Sequence, residues 1–148
     1  SLYGTSLSFN LPYGGFKWLD NQSLDRLKDG INNDNLMEEW DINSPVGFMI
    51  EVDINIPPIC HQMLDDYPPF PMSRIVKSSE LSPYQQNDSQ SIKDSHKKLF
   101  SCYNEKKRYI IHYIAFKSYF SILKAKGAKI ENIYRGLCFN QKPYISKF

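Results

Sequence analysis

The sequence predicts an α+β fold: a mixed or antiparallel sheet, one long amphipathic helix and a packed proline-rich loop. Three observations carry that expectation. Residues 46–56 alternate apolar and polar side chains, residues 107–126 repeat apolar ones at helical spacing, and six of the nine prolines fall between Pro57 and Pro83. Hydrophobic content of 41% and aromatic content of 14% over 148 residues belong to a chain that buries a core. Residues 1–19 read as one piece and residues 20–148 as a single compact unit.

The elements follow in chain order. Residues 1–19 give a turn or short helix, a tight turn at Pro12-Tyr13-Gly14-Gly15 and a strand-like run from Phe16. Ser23 is a candidate N-cap and Gly30 a candidate stop, which predicts one or two helical turns between them. Residues 32–43 are rich in Asn and Asp and read as a loop with at most a helical turn. Phe48, Ile50, Val52, Ile54 and Ile56 then alternate with Met49, Glu51, Asp53 and Asn55, the pattern of a half-buried strand. Pro57-Pro58 ends it, because proline cannot donate to a ladder.

The following loop is proline-rich yet carries Ile59, Met63, Leu64, Tyr67, Phe70, Ile75 and Val76, so it reads as ordered and packed. Residues 85–94 are the one low-complexity stretch and predict a mobile tip. In residues 107–126, Tyr109, Tyr113, Phe116, Phe120 and Leu123 recur three or four apart, predicting a long helix that Gly127 stops. Residues 133–139 predict a last strand before Pro143.

Several function classes lose support at this level. The net charge of +2 is too small to imply a polyanion partner by itself. Cys60, Cys102 and Cys138 form no Cys-x-x-Cys or Cys/His pattern, against a zinc site or disulfide framework and in keeping with an intracellular setting. No run of eighteen apolar residues exists, so no membrane partner is expected. No histidine has a nucleophile motif beside it, and no catalytic residue is assigned.

The candidate sites each have two readings. Glu51 and Asp53 lie on one strand face, about 7 Å apart, and would either hold a cation or form a solvated face; the solvated face is expected, with no metal. His61 with Asp65 and Asp66 would be a ligand set only if one helical turn gathered them, and His112 reads as a hydrogen-bonded structural residue. Lys106, Lys107 and Arg108, with Lys117 and Lys124 further along the expected helix, are the candidate nucleic-acid contacts. The same lysines also suit the wet side of an amphipathic helix.

A resemblance sharpens this. Ser1-Leu2-Tyr3-Gly4, followed by Leu11-Pro12-Tyr13-Gly14-Gly15-Phe16, resembles the stretch after the first catalytic aspartate of protein-primed family B DNA polymerases. Their palm motif reads Asp-x-x-Ser-Leu-Tyr-Pro, and transposon-borne members of the Polinton type often have Tyr-Gly followed by Leu-Pro-Tyr-Gly. Gly47-Phe48-Met49-Ile50-Glu51-Val52-Asp53 with Ile56-Pro57 is similar to a Gly-aromatic-x-x-Glu-Val-Asp strand ending at Tyr-Pro. His61, Asp66-Tyr67-Pro68 and Leu81-Ser82-Pro83-Tyr84 match further pieces. Residues 109–119 resemble the family's Tyr-Val-x-His-Tyr helix, and Arg135, Leu137, Phe139 and Gln141 fit an Arg-x-Leu-x-Phe-x-Gln strand.

The resemblance implies a piece of a polymerase whose two palm aspartates hold magnesium for phosphoryl transfer. Those aspartates are expected outside this chain, one three residues before Ser1 and one after Phe148. The chain alone is therefore expected to carry no cofactor and no polymerase activity. Ser1, Leu2 and Tyr3 would line the incoming-nucleotide site, with the Tyr3 ring under the sugar; the plainer alternative packs that ring under Pro12. The implied partners are the rest of the polymerase, DNA and a terminal protein. A stand-alone docking component of a larger assembly is the other reading.

Overall fold

The computed structural model describes residues 1–63, 68–88, 97–102 and 105–145. In chain order it forms α1 (Leu2–Leu7), β1 (Leu11–Trp18), α2 (Asn21–Asn33), a 3-10 turn (Leu36–Glu39), β2 (Val46–Asn55) and α3 (Ile59–Met63). Then come β3 (Met72–Ile75), a second 3-10 turn (Ser78–Glu80), α4 (Pro83–Asn87) and β4 (Lys97–Phe100). Last are β5 (Lys106–His112), α5 (Tyr113–Lys124) and β6 (Lys129–Lys142). The fold is α+β with antiparallel sheets.

The chain divides into two units, Ser1–Met63 with Asn104–Phe148, and Leu64–Tyr103. This differs from the expected division at residue 19. The first unit holds a four-stranded sheet in the order β1-β6-β2-β5, each neighbour antiparallel. Strands β1 and β2 therefore run the same way with β6 between them, and β5 and β6 the same way with β2 between them. Two β-α-β units are interleaved. Residues 1–19 belong to this sheet because β1 pairs with β6, Leu11 opposite Lys142 and Trp18 opposite Leu137.

Both long helices cover one face. Phe48 stacks on Tyr113 of α5 with ring centres 5.0 Å apart. Ile50, on the same face of β2, pairs with Gly136, where a Cβ would meet Leu24 of α2 and Leu19 just before it. Ile50, Val52 and Ile54 are buried, as are Tyr113, Phe116, Phe120 and Leu123 at the helical spacing the sequence predicts. Asn32 ties the end of α2 to β6: its amide donates to the Ile130 carbonyl and its Oδ1 accepts from the Ile130 N–H, both at 2.9 Å.

Four expectations need correction. The expected turn at Pro12-Tyr13-Gly14-Gly15 is instead strand, bent by two register shifts, with Gly15 at φ +66° doing the bending. Helix α2 is longer than one or two turns. Its N-cap is Asp20, whose Oδ1 accepts from the Ser23 N–H at 2.7 Å, and Gly30 lies inside it, against Leu36. The long helix predicted for residues 107–126 is strand to His112 and helix after it. Tyr109-Ile110-Ile111 favour extended backbone once β2 lies alongside, and His112 caps α5 by accepting from the Ile114 N–H at 3.4 Å. The last strand is twice the expected length.

The second unit holds a two-stranded pair, Met72 opposite Phe100 and Ile75 opposite Lys97. Arg74 lies over the Phe100 ring at 4.0 Å and bridges to Glu80 at 2.9 Å. Ser82 caps α4 and Gln85 returns the bond, with Pro83 at the helix start. Residues 85–87 of the expected mobile stretch are thus helical, and its residues 89–94 lie outside the described residues, as do Asp65 and Asp66.

Candidate functional site

Met49, Glu51 and Asp53 alternate with the core positions of β2 and so face away from the helices. The expected solvated carboxylates are instead buried, with 7% of Glu51 and 2% of Asp53 exposed. Burial of a charge demands partners, and both have them. Glu51 accepts from Arg108 Nη1 at 3.1 Å and from Arg135 Nε at 2.5 Å. Asp53 accepts from the Arg108 backbone N–H at 2.8 Å, the Tyr134 hydroxyl at 2.5 Å and Asn132 Nδ2 at 3.3 Å. Lys107 Nζ stands 3.9 Å from Asp53 and bridges Glu131 at 2.8 Å and Glu105 at 2.9 Å.

The backbone is irregular at this spot. Opposite β5, Val52 pairs with Tyr109 and Ile54 with Lys106, so Lys107 and Arg108 together face Asp53. Opposite β6, one shift leaves Tyr134 over between the partners of Glu51 and Val52, and another leaves Glu131 over beside Asp53. Each added residue supplies a contact of the network. Arg108 pays for its place with a left-handed backbone, φ +49°, which costs a non-glycine residue about 1–2 kcal/mol. The Asp53 carboxylate, accepting from its N–H, holds it there.

The electrostatics agree with the geometry. The Arg135 hydrogen bond, aided by Arg108 and opposed by burial, holds the Glu51 carboxyl below its ordinary 4.5. Burial alone would raise Asp53, but Tyr134, the Arg108 N–H, Asn132 and Lys107 outweigh it and keep it below 3.8. Hydrogen bonds that Lys107 donates to Glu131 and Glu105 raise its ammonium above its usual range. Every oxygen of Glu51 and Asp53 is thus engaged by a donor. The pair does not fit a metal, and among the described residues no three His, Cys, Asp or Glu side chains gather as ligands.

Above the network the open face turns apolar. Trp18, Met49, Ile110 and Leu137, with Glu51 and Arg135 at the rim, line a pit of about 120 Å³. Arg108 lies 3.9 Å over the Tyr134 ring and Arg135 5.4 Å from the Trp18 ring. The two guanidinium side chains are 63% and 57% exposed. Trp18 and Tyr134 carry no signal in the sequence alone. Their role depends on strand order and on a bulge, which periodicity does not reveal.

The predicted nucleic-acid residues do not form one stripe. Lys106 is fully buried, Lys107 and Arg108 belong to the β5 bulge, and Lys117 and Lys124 lie on α5. Lys117 Nζ donates to the Trp40 carbonyl at 2.8 Å, and Lys124 Nζ donates to the Asp34 carbonyl. These two lysines fasten the α2–β2 connection to α5. Ser1 caps α1, its Oγ accepting from the Gly4 N–H at 3.2 Å. Leu2 and Tyr3 are exposed, so the alternative that packs Tyr3 under Pro12 does not apply. His112 is half-buried between Tyr113 and Phe139, and burial lowers its pKa below 6.5.

Of the segments that carry the polymerase resemblance, residues 47–53, 109–119 and 135–141 lie in this unit, whereas Leu81-Ser82-Pro83-Tyr84 lies in the other and Asp66 and Tyr67 fall outside the described residues. Gly47 has no room for a Cβ, because Gln141 Oε1 would lie 2.7 Å and Phe139 Cε2 2.8 Å away. Gln141 Nε2 donates to the Tyr113 hydroxyl at 2.8 Å, and Glu51 bonds Arg135. No protein-family profile, no curated protein and no solved structure matches the chain.

Proposed function

We propose that this chain is a non-catalytic part of a protein-primed family B DNA polymerase, serving template-directed DNA synthesis by binding rather than by bond-making. Ser1, Leu2 and Tyr3 face the incoming nucleotide in this reading, and the sheet unit that follows contacts DNA and terminal protein. The observation that supports it is the convergence of the quoted motif residues. Gly47, Glu51, Tyr113, Arg135, Phe139 and Gln141 come from three distant segments yet pack or hydrogen-bond on one another. Short pieces matching by chance would have no reason to do so. The remaining polymerase is the source of the magnesium ligands in this reading; Glu51 and Asp53 are already engaged by donors.

The test is to express the segment within its natural reading frame and measure template-directed primer extension with magnesium. Extension is expected, and Tyr3→Ala should raise ribonucleotide incorporation relative to deoxyribonucleotide. A reading frame that encodes neither palm aspartate would sink the proposal.

A further inference from the structure

We propose that the open face of the four-stranded sheet takes single-stranded nucleic acid. A base packs on Trp18 over the apolar pit, and flanking phosphates meet the outer N–H groups of Arg108 and Arg135. The inference deepens the polymerase reading and rests on it only for the class of polymer. Of the candidates that the sequence singles out it uses Arg108 and none of the four lysines.

The chemistry of the face selects this occupant. The bonds to Glu51 engage one nitrogen of each guanidinium, leaving further donors on two exposed arginines. Glu51 with Arg108 and Arg135 sums to one positive charge. Asp53 and Lys107 group with Glu131 and Glu105, a set of net negative charge, so the cationic part of the face is confined to the two arginines beside Glu51. Trp18, 62% exposed, and the Arg108 guanidinium that lies on the Tyr134 ring give flat surfaces of the kind on which unpaired bases stack. Duplex bases are already stacked and cannot use them.

The construction of the site argues against a purely structural network. Buried ion pairs are seldom more stabilising than apolar residues of similar size, and here a left-handed arginine is added to the cost. The residues spent on the network fix where two guanidiniums point. Fixed forks of donors are what phosphate recognition needs.

The experiment is fluorescence anisotropy of labelled oligothymidylate with the 148-residue chain, against a duplex of equal length and a polyglutamate peptide. Binding is expected for the single strand and to be much weaker for the duplex and the peptide. Trp18→Ala should weaken it about tenfold, with Trp18→Phe restoring most of the loss. Arg108→Ala and Arg135→Ala should each lower the salt slope by about one phosphate's worth. Circular dichroism checks that each variant is folded, and Trp18→Ala, at an exposed position, keeps the test open if an arginine variant is not. No binding, equal binding of duplex or peptide, or folded variants that bind like the parent would overturn the inference. Loss of this binding with primer extension intact in the longer protein would remove the face and leave the polymerase reading standing; the reverse result would do the opposite.

Discussion

Asp53→Ala is the perturbation that bears hardest on the site. It removes one carboxylate and strands three donors: the Arg108 N–H, the Tyr134 hydroxyl and the Asn132 amide. It also removes what holds Arg108 at φ +49°. Breaking one side of a buried charged network costs about 3–5 kcal/mol. Lys107 and Tyr134 reach solvent and can be rehydrated, so we place the loss near the lower bound, about 3 kcal/mol. With a urea slope of about 2 kcal/mol/M for a unit of this size, the midpoint falls by about 1.5 M. Asp53→Asn keeps an acceptor for the Arg108 N–H and should lose about half as much. Both tryptophans, Trp18 and Trp40, belong to the sheet-bearing unit, so their fluorescence reports that unit in a urea titration. An Asp53→Ala midpoint within about 0.3 M of the parent, or equal losses for the Ala and Asn variants, would refute the assignment of the bulge to this carboxylate.

Three further outcomes follow from the same geometry. Gly47→Ala forces a methyl against Phe139 and Gln141 and should cost about 1–3 kcal/mol by urea titration, with the Gln141–Tyr113 bond the first to suffer. Glu51 and Asp53 are held below their ordinary 4.5 and 3.8, so the unfolded chain takes up their protons first. Their stabilisation is whole above those ordinary values and is lost as the pH falls through the folded ones; urea midpoints against pH should show this acid limb, flattened in Glu51→Gln/Asp53→Asn. Lys117→Ala and Lys124→Ala should each lower stability by about 1 kcal/mol through loss of a carbonyl contact. They should leave the salt slope of oligonucleotide binding unchanged, in contrast to the two arginines.

How much of this was legible in the sequence depended on whether the signal was local. The alternation around Ile50, Val52 and Ile54 fixed β2 because period-two patterning survives wherever one face is buried. The stripe from Tyr113 to Leu123 fixed α5 for the corresponding reason at period 3.6. Residues 107–112 failed the same test. Tyr109 stands four before Tyr113, a spacing that fits the helix, and only pairing with β2 and the cap at His112 make it strand. Asp53 was misread differently. Its position on the outward face was correct, but its burial comes from Arg108, Tyr134 and Asn132, the last two 81 and 79 residues away and the first two placed by bulges. Composition at positions 51–53 contains none of that.

The irregularities of the sheet are themselves an argument about what the face is for. Three register shifts flank β2 within four residues, at Glu51/Val52 and Asp53/Ile54 on one side and Val52/Ile54 on the other. A sheet meant only to carry α2 and α5 needs none of them, since Ile50, Val52 and Ile54 face those helices whether or not the far side is bulged. Bulges re-aim side chains. Here they set Lys107 and Arg108 together opposite Asp53 and leave Tyr134 and Glu131 over on β6; Arg108, Tyr134 and Lys107 face the two carboxylates, and Glu131 holds Lys107. Regular ladders would have turned half of those side chains to the helix face. The distortion therefore falls on the open face alone, where it sets the exposed Arg108 guanidinium on the Tyr134 ring, beside the Arg135 that pairs in register with Glu51. That reasoning uses no resemblance, and it makes the open face rather than the lysines of α5 the first place to look for a bound strand.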